Sequence, residues 1–156
     1  FIIGGFIIYV LQIAVLSFMP GGYSIWVHSN LQYLRAVSSV LLIIGIIVSS
    51  RSTGFLTAAS GIALNAIAML FNSGRMPVSP NALVYLGLVD QFNILSQGGS
   101  STHIIADKAT RLYSLSDIIP IPVITPKVIS VGDIFLAVGI FLIIQKYMIL
   151  SEPLHS

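Results

Sequence analysis

The chain has 156 residues, 56% of them hydrophobic and 8% charged, with a mean hydropathy of +0.98. A soluble domain carries about a quarter charged residues, so this composition cannot cover a water-facing surface and marks an integral membrane protein. Seven basic and five acidic side chains leave a net charge of +2 with no basic run, which excludes a nucleic-acid surface, and the lack of cysteine excludes disulfides, thiolate metal sites and cysteine nucleophiles.

The sequence begins at Phe1 rather than Met, so it reads as a fragment, a processed form or the ordered part of a longer protein. A helical span needs roughly 20 mostly apolar residues, and four windows supply them. The first is Phe1–Met19, stopped by Pro20-Gly21-Gly22; it has neither a basic leader nor a small-x-small cleavage site, so it does not read as a signal peptide. The second is Leu31–Ser50, with Asn30 as N-cap. Tyr23, Trp26 and Tyr33 would form an aromatic belt at its start, and Arg35 can reach the same interface. Arg51-Ser52-Thr53 then leads into the third window, Gly54–Phe71.

The stretch from 72 to 130 is neither Gly/Ser-rich nor strongly charged, so it should be an ordered loop. It opens with "FNSGRMPVS", residues 71–79, which reads as a signal that ends a span, turns at Gly74, anchors Arg75 at the interface and restarts the chain at Ser79-Pro80. Ser79 is a good N-cap and Pro80 a good first helical residue, so Asn81–Phe92 is predicted as a short interfacial helix. Gln97-Gly98-Gly99-Ser100-Ser101 breaks the chain. Thr102–Ser116 is predicted as a second short helix, with Ile104, Ile105, Leu112 and Leu115 on an apolar side and Asp107 and Arg111 at ion-pair spacing. Asp117 to Pro126, "DIIPIPVITP", carries three prolines and should run extended. The fourth window, Val131–Leu150, starts with a capping box formed by Ser130 and Asp133, and Lys146 and Tyr147 mark its far interface.

Together these elements predict an all-α membrane protein: one transmembrane domain over residues 1–156, four transmembrane helices (about 1–19, 31–50, 54–71 and 131–150), and an ordered loop of short interfacial helices, 72–130, between spans three and four. Arg51 and Lys146 fall on one side and Arg35, Arg75, Lys108, Arg111 and Lys127 on the other. That count places the long loop in the cytoplasm, but the loop is close to the ~60-residue length at which such counts lose meaning, so charge leaves the orientation open.

"GRMPVS" (74–79), a following His, "TRLYSLSDIIPIP" (110–122) and "VGDIFLAVGIFLII" (131–144) resemble a family of small bacterial integral membrane proteins classed as a domain of unknown function. The resemblance covers roughly residues 65–144, with Asn72-Ser73-Gly74 standing where the family pattern has Asn-Gly-Gly. It implies an extra apolar segment and a basic stretch ahead of Phe1. That would put Arg51 on the cytoplasmic side and the long loop on the outer face of the bacterial cytoplasmic membrane. It implies no activity.

Asn65 is the most conspicuous polar residue inside a span. With Thr57, Gly61, Ala68 and Asn72 it makes a small and polar face, read first as a packing seam bonded across by the amide and second as a polar site inside the bundle. Arg75 reads first as an interfacial arginine and second as an anion clamp shared with Arg111 and His103. His103, Asp107, Asp117 and Asp133 are far apart in sequence, so their spacing decides nothing about acid–base or metal chemistry. The candidate polar or anion site is therefore Asn65, Asn72, Arg75, His103, Arg111 and Asp117, with no catalytic residue, metal or cofactor assigned. The expected function is a non-catalytic membrane subunit, packed against other membrane subunits of a larger assembly such as a respiratory or photosynthetic energy-converting complex. The alternative is a lipid-active enzyme or small-molecule carrier with its site at the long-loop face. Expected partners are the lipid bilayer and those subunits, with no nucleic acid.

Overall fold

The computed structural model describes residue 33 and residues 37–48 and 52–150. Within them the protein is mostly helical, with five helices: α1 (Val37–Val48), α2 (Thr53–Leu70), α3 (Pro80–Tyr85), α4 (Val89–Ser96) and α5 (Val131–Leu150). Two of them, α2 and α5, are long and apolar enough to cross a membrane. The expected first span, Phe1–Met19, lies outside the described residues, and of the expected second, Leu31–Ser50, residue 33 and residues 37–48 are described and are helical.

Helices α2 and α5 pack along their length, and glycine is the reason they can approach so closely. Gly54, Ala58, Gly61 and Asn65 recur every three or four residues on α2; Gly132, Leu136, Gly139 and Ile143 do the same on α5. A Cβ on Gly61 would stand 2.5 Å from the Gly132 carbonyl oxygen and 2.6 Å from the Leu136 nitrogen, and one on Gly139 would run into the Ala58 backbone nitrogen. Backbone meets backbone here, so the two helices gain close van der Waals contact along the seam. The seam is not quite the predicted face. Thr57 donates its hydroxyl to the Thr53 carbonyl of its own helix at 2.8 Å, and the smaller Ala58 takes the seam position, buried against Gly139.

Residues 72–130 fold into a small cap over one end of this pair. The chain leaves α2 through Ser73 and Gly74, both at positive φ (57° and 74°), and the Gly74 N–H donates to the Met69 carbonyl at 2.8 Å. It then enters β1 (Met76–Val78), which pairs in parallel with β2 (His103–Ile105), Met76 opposite His103 and Val78 opposite Ile105. The other edge of β1 takes Asp117: its N–H donates to the Pro77 carbonyl at 2.9 Å, and its carbonyl accepts from the Ser79 N–H at 2.8 Å. Pro77 is tolerated mid-strand because the N–H it lacks would face this second edge, where residues Tyr113–Leu115 are still a 3-10 turn.

Ser79 caps α3, its hydroxyl oxygen accepting from the Ala82 N–H at 3.3 Å, with Pro80 in the first turn. The helix expected over Asn81–Phe92 is broken by Gly87 at φ 68° into α3 and α4. The proline-rich stretch is extended, and it forms a hairpin of β3 (Ile119–Ile121) with β4 (Lys127–Ile129), Ile119 opposite Ile129. Val78, Leu83 and Leu95 make the buried centre of the cap, with Leu88, Phe92, Ile105 and Val128 packed around them.

Two expectations are corrected here. Thr102–Ser116 is not a helix: His103–Ile105 is a strand, and Asp107 closes a turn by accepting from the Ala109 N–H at 2.9 Å and the Thr110 hydroxyl at 3.2 Å. An Asp that bonds its own backbone two residues on offers the chain an alternative to the helix, and β1 satisfies the backbone of β2. For the same reason the long loop is not a set of interfacial helices alone, and the all-α description fails over four short strands.

Candidate functional site

The predicted site residues separate into three places. Asn65 sits on the α2–α5 seam and closes a ring with the cap of α5. Its Nδ2 donates to Asp133 Oδ1 at 2.8 Å, and its Oδ1 accepts from the Ser130 hydroxyl at 2.8 Å. The capping box completes the ring: the Ser130 N–H donates to Asp133 Oδ2 at 3.0 Å, and the Asp133 N–H donates to Ser130 Oγ at 3.1 Å. Ser130 is fully buried. Every polar atom of the Asn65 side chain is thus engaged in bonds that join the start of α5 to α2.

Asn72 performs a second fastening at the end of α2. Its Nδ2 donates to the Ala68 carbonyl at 2.7 Å and to the Arg111 carbonyl at 2.9 Å, while its Oδ1 accepts from the Arg111 N–H at 3.0 Å. The amide therefore reads the backbone of residue 111 as a neighbouring strand would. The Arg111 side chain takes no part and is exposed. Arg75 also starts at this end, its N–H donating to the Asn72 carbonyl at 3.2 Å.

His103 and Asp117 are the predicted pair whose side chains do meet. They flank β1 on opposite edges, His103 level with Met76 and Asp117 level with Val78, two residues apart along one strand. Positions two apart share a face of a sheet, and His103 Nε2 lies 3.7 Å from Asp117 Oδ2. That is too long for a hydrogen bond and is an ionic contact when the imidazole carries its proton. The other ring nitrogen, Nδ1, is 2.7 Å from the Thr102 hydroxyl. Asp117 is only 7% exposed. Burial pushes its carboxyl up to about 7, and the Asp133 carboxylate adds to the rise. A carboxyl titrating there is present in both forms near neutrality and can give or take a proton, and the His103 ring beside it is half-exposed.

The structure does not gather the remaining candidates onto this pair. Among the described residues, Arg75 and Arg111 make no ion pair, and the only ionic contact is His103–Asp117. Nor does any group of three His, Asp or Glu side chains among those residues stand close enough to hold a metal ion. The expected Asp107–Arg111 pair is replaced by the Asp107 turn.

Sequence reasoning missed four residues. Gly132 and Gly139 carry the α5 side of the seam, and their seven-residue spacing was the available signal. Ser116 Oγ is, among the described residues, the one fully buried side-chain oxygen with no hydrogen-bond partner, and nothing in the structure explains it. Tyr113, whose hydroxyl donates to Ser79 Oγ at 3.1 Å, ties the 3-10 turn to the start of α3.

No curated protein and no solved structure matches the chain significantly. One family profile does match, described as a family of unknown function (DUF5317), and it extends over residues 2–145, well beyond the stretch on which the sequence resemblance rests. With nearly the whole sequence matched, the chain belongs to this family of unknown function, DUF5317.

Proposed function

We propose that the chain is a non-catalytic integral membrane subunit, in which α2 and α5 form a membrane hairpin that carries a folded cap at one face and packs within a larger membrane assembly. The observation that supports it is the use made of the polar groups: Asn65, Asn72, Ser130 and Asp133 are all engaged in internal hydrogen bonds that join α2, the cap and α5, and Ser79 is engaged within the cap. What the hairpin presents outward is apolar, including Leu56 and Ile67 on α2 and Ile134, Phe135, Val138, Phe141 and Ile144 on α5. In this reading the protein sits in the bacterial cytoplasmic membrane with the cap outward, and an energy-converting complex is one candidate host. Gentle detergent extraction followed by co-purification and quantitative mass spectrometry tests it. A reproducible membrane partner at fixed stoichiometry is the expected result; a protein that runs alone, with no recurring partner, defeats the proposal.

One observation favours a second reading, a lipid-active enzyme or small-molecule carrier: the buried Asp117 carboxyl, poised near neutrality beside His103. Asp117→Asn discriminates. If it removes the cellular function while fold and partner capture persist, the proton-exchanging pair is the working site and the subunit reading gives way.

A further inference from the structure

The 3-10 turn Tyr113–Leu115 packs against both α2 and α5, and Asn72 grips the backbone of Arg111 at the last turn of α2 through bonds of 2.9 and 3.0 Å. The segment 108–113 is therefore held at the depth where α2 leaves the apolar layer. Two kinds of side chain project from it. Leu112 and Tyr113 are large, apolar or aromatic, and exposed, and Leu112 is held at φ 52°, a conformation that a branched side chain seldom adopts. Lys108 and Arg111 are exposed cations, and Arg75 starts at the same level through its bond to the Asn72 carbonyl.

Among the described residues none of these three cations makes an ion pair. The carboxylate beside them in sequence, Asp107, has one oxygen engaged in its own turn. Immediately along α2 from this cluster, Ile67, Leu70 and Phe71 form one exposed apolar strip at helical spacing. An apolar strip at the end of α2, where Asn72 holds the backbones of Arg75 and Arg111, matches a phospholipid, chain against strip and phosphate against cations. The excess of positive charge favours a headgroup with net negative charge over a zwitterionic one.

We propose that Arg75, Lys108 and Arg111 form a binding site for the phosphate of an anionic phospholipid whose acyl chain lies along the Ile67–Leu70–Phe71 strip. The inference rests on α2 and α5 being membrane spans. The test places the full chain in nanodiscs of equal dioleoylphosphatidylglycerol and dioleoylphosphatidylcholine and reads the retained lipids by native mass spectrometry. Phosphatidylglycerol should be enriched, and Arg75→Gln and Arg111→Gln should each reduce the enrichment by roughly five-fold. Arg111→Gln leaves the Asn72 bonds intact because they run to the backbone, so a folding defect does not mimic the result. Lys146→Gln, at the opposite end of α5, should leave the enrichment unchanged. Overturning results are no enrichment in the wild type, full enrichment in both arginine variants, displacement by millimolar inorganic phosphate, or a protein rather than a lipid retained on this face. A chain that washes from membranes in alkaline carbonate would instead defeat the membrane reading itself, which is a separate and recognisable outcome.

Discussion

Asn65→Ala strikes the ring that joins α2 to the first turn of α5. The substitution removes a donor to the Asp133 carboxylate and an acceptor for the Ser130 hydroxyl, each at 2.8 Å. A neutral hydrogen bond contributes about 0.5–1.5 kcal/mol and one to a charged group about 1.5–3, so the pair is worth about 2–4.5 kcal/mol by that measure. Interhelical bonds between membrane helices average lower, about 0.6 kcal/mol with a maximum near 1.7. The ring lies at the end of α5, not its middle, and Ser130 is fully buried, so the orphaned hydroxyl cannot turn to water. These two facts favour the upper scale, and a loss of about 2–4 kcal/mol is expected. Alanine removes both polar atoms and adds no bulk to the seam, where Gly132 lies directly against the Asn65 side chain. Unfolding in mixed micelles, followed by circular dichroism, measures the loss. Ser60→Ala is the control, since Ser60 is exposed and donates only to the Leu56 carbonyl of its own helix. If Asn65→Ala costs no more than this control, the ring does not hold the hairpin together.

Gly139→Ala forces a Cβ into the Ala58 backbone and should cost about 1–3 kcal/mol through helix separation, whereas Gly98→Ala, with open space around it but a φ of 70°, should cost only its backbone strain, about 1 kcal/mol; equal losses with unchanged helix spacing by spin-label distances would contradict the seam. Asp117 holds its proton up to about 7 in the folded cap and to about 3.9 in the unfolded chain, so the folded state binds more protons between those values and stability must fall as pH rises through that window. The groups facing it are His103 on β2 and Asp133 on α5. The full effect is at most about 4 kcal/mol; Asp117→Asn should flatten a thermal-unfolding profile run from about pH 4 to 8, and a wild type that gains stability across that range would refute the assignment. Ser73 sits at φ 57°, where glycine has no Cβ strain, so Ser73→Gly should stabilise by up to about 1 kcal/mol despite the freer unfolded chain; destabilisation in the same unfolding assay would show that the side chain, and not the turn, matters.

What could be read from the sequence was local. Ser130 and Asp133 announce the start of α5 because a capping box acts within one turn, and Ser79-Pro80 announces α3 for the same reason. Gly61 and Asn65 announce one side of the seam because small and polar residues in an apolar span have few other uses. The strands were illegible: three residues are too few to show a period of two, and one of β1's three is a proline. Apolar spacing over Thr102–Ser116 imitated a helix, while the deciding force was β1 arriving from residues 76–78 to pair with His103–Ile105. The meeting of His103 with Asp117 depends on that same long-range pairing, as does the raised carboxyl, so neither can be seen without the fold. Asn72 looked like the tail of a polar helix face, and only the folded cap reveals that it grips the backbone of Arg111.

The central claim is that α2 and α5 cross the membrane as a hairpin with the cap on one side. The chain has no cysteine, so single cysteines report without interference. Ile124→Cys marks the fully exposed turn of the β3–β4 hairpin, Lys146→Cys marks the far end of α5, and Phe141→Cys marks its exposed apolar flank. In sealed vesicles of defined orientation, an impermeant maleimide should label Ile124→Cys from one side and Lys146→Cys only from the other, with Phe141→Cys protected from both. Labelling of Ile124→Cys and Lys146→Cys from the same side would contradict the membrane hairpin.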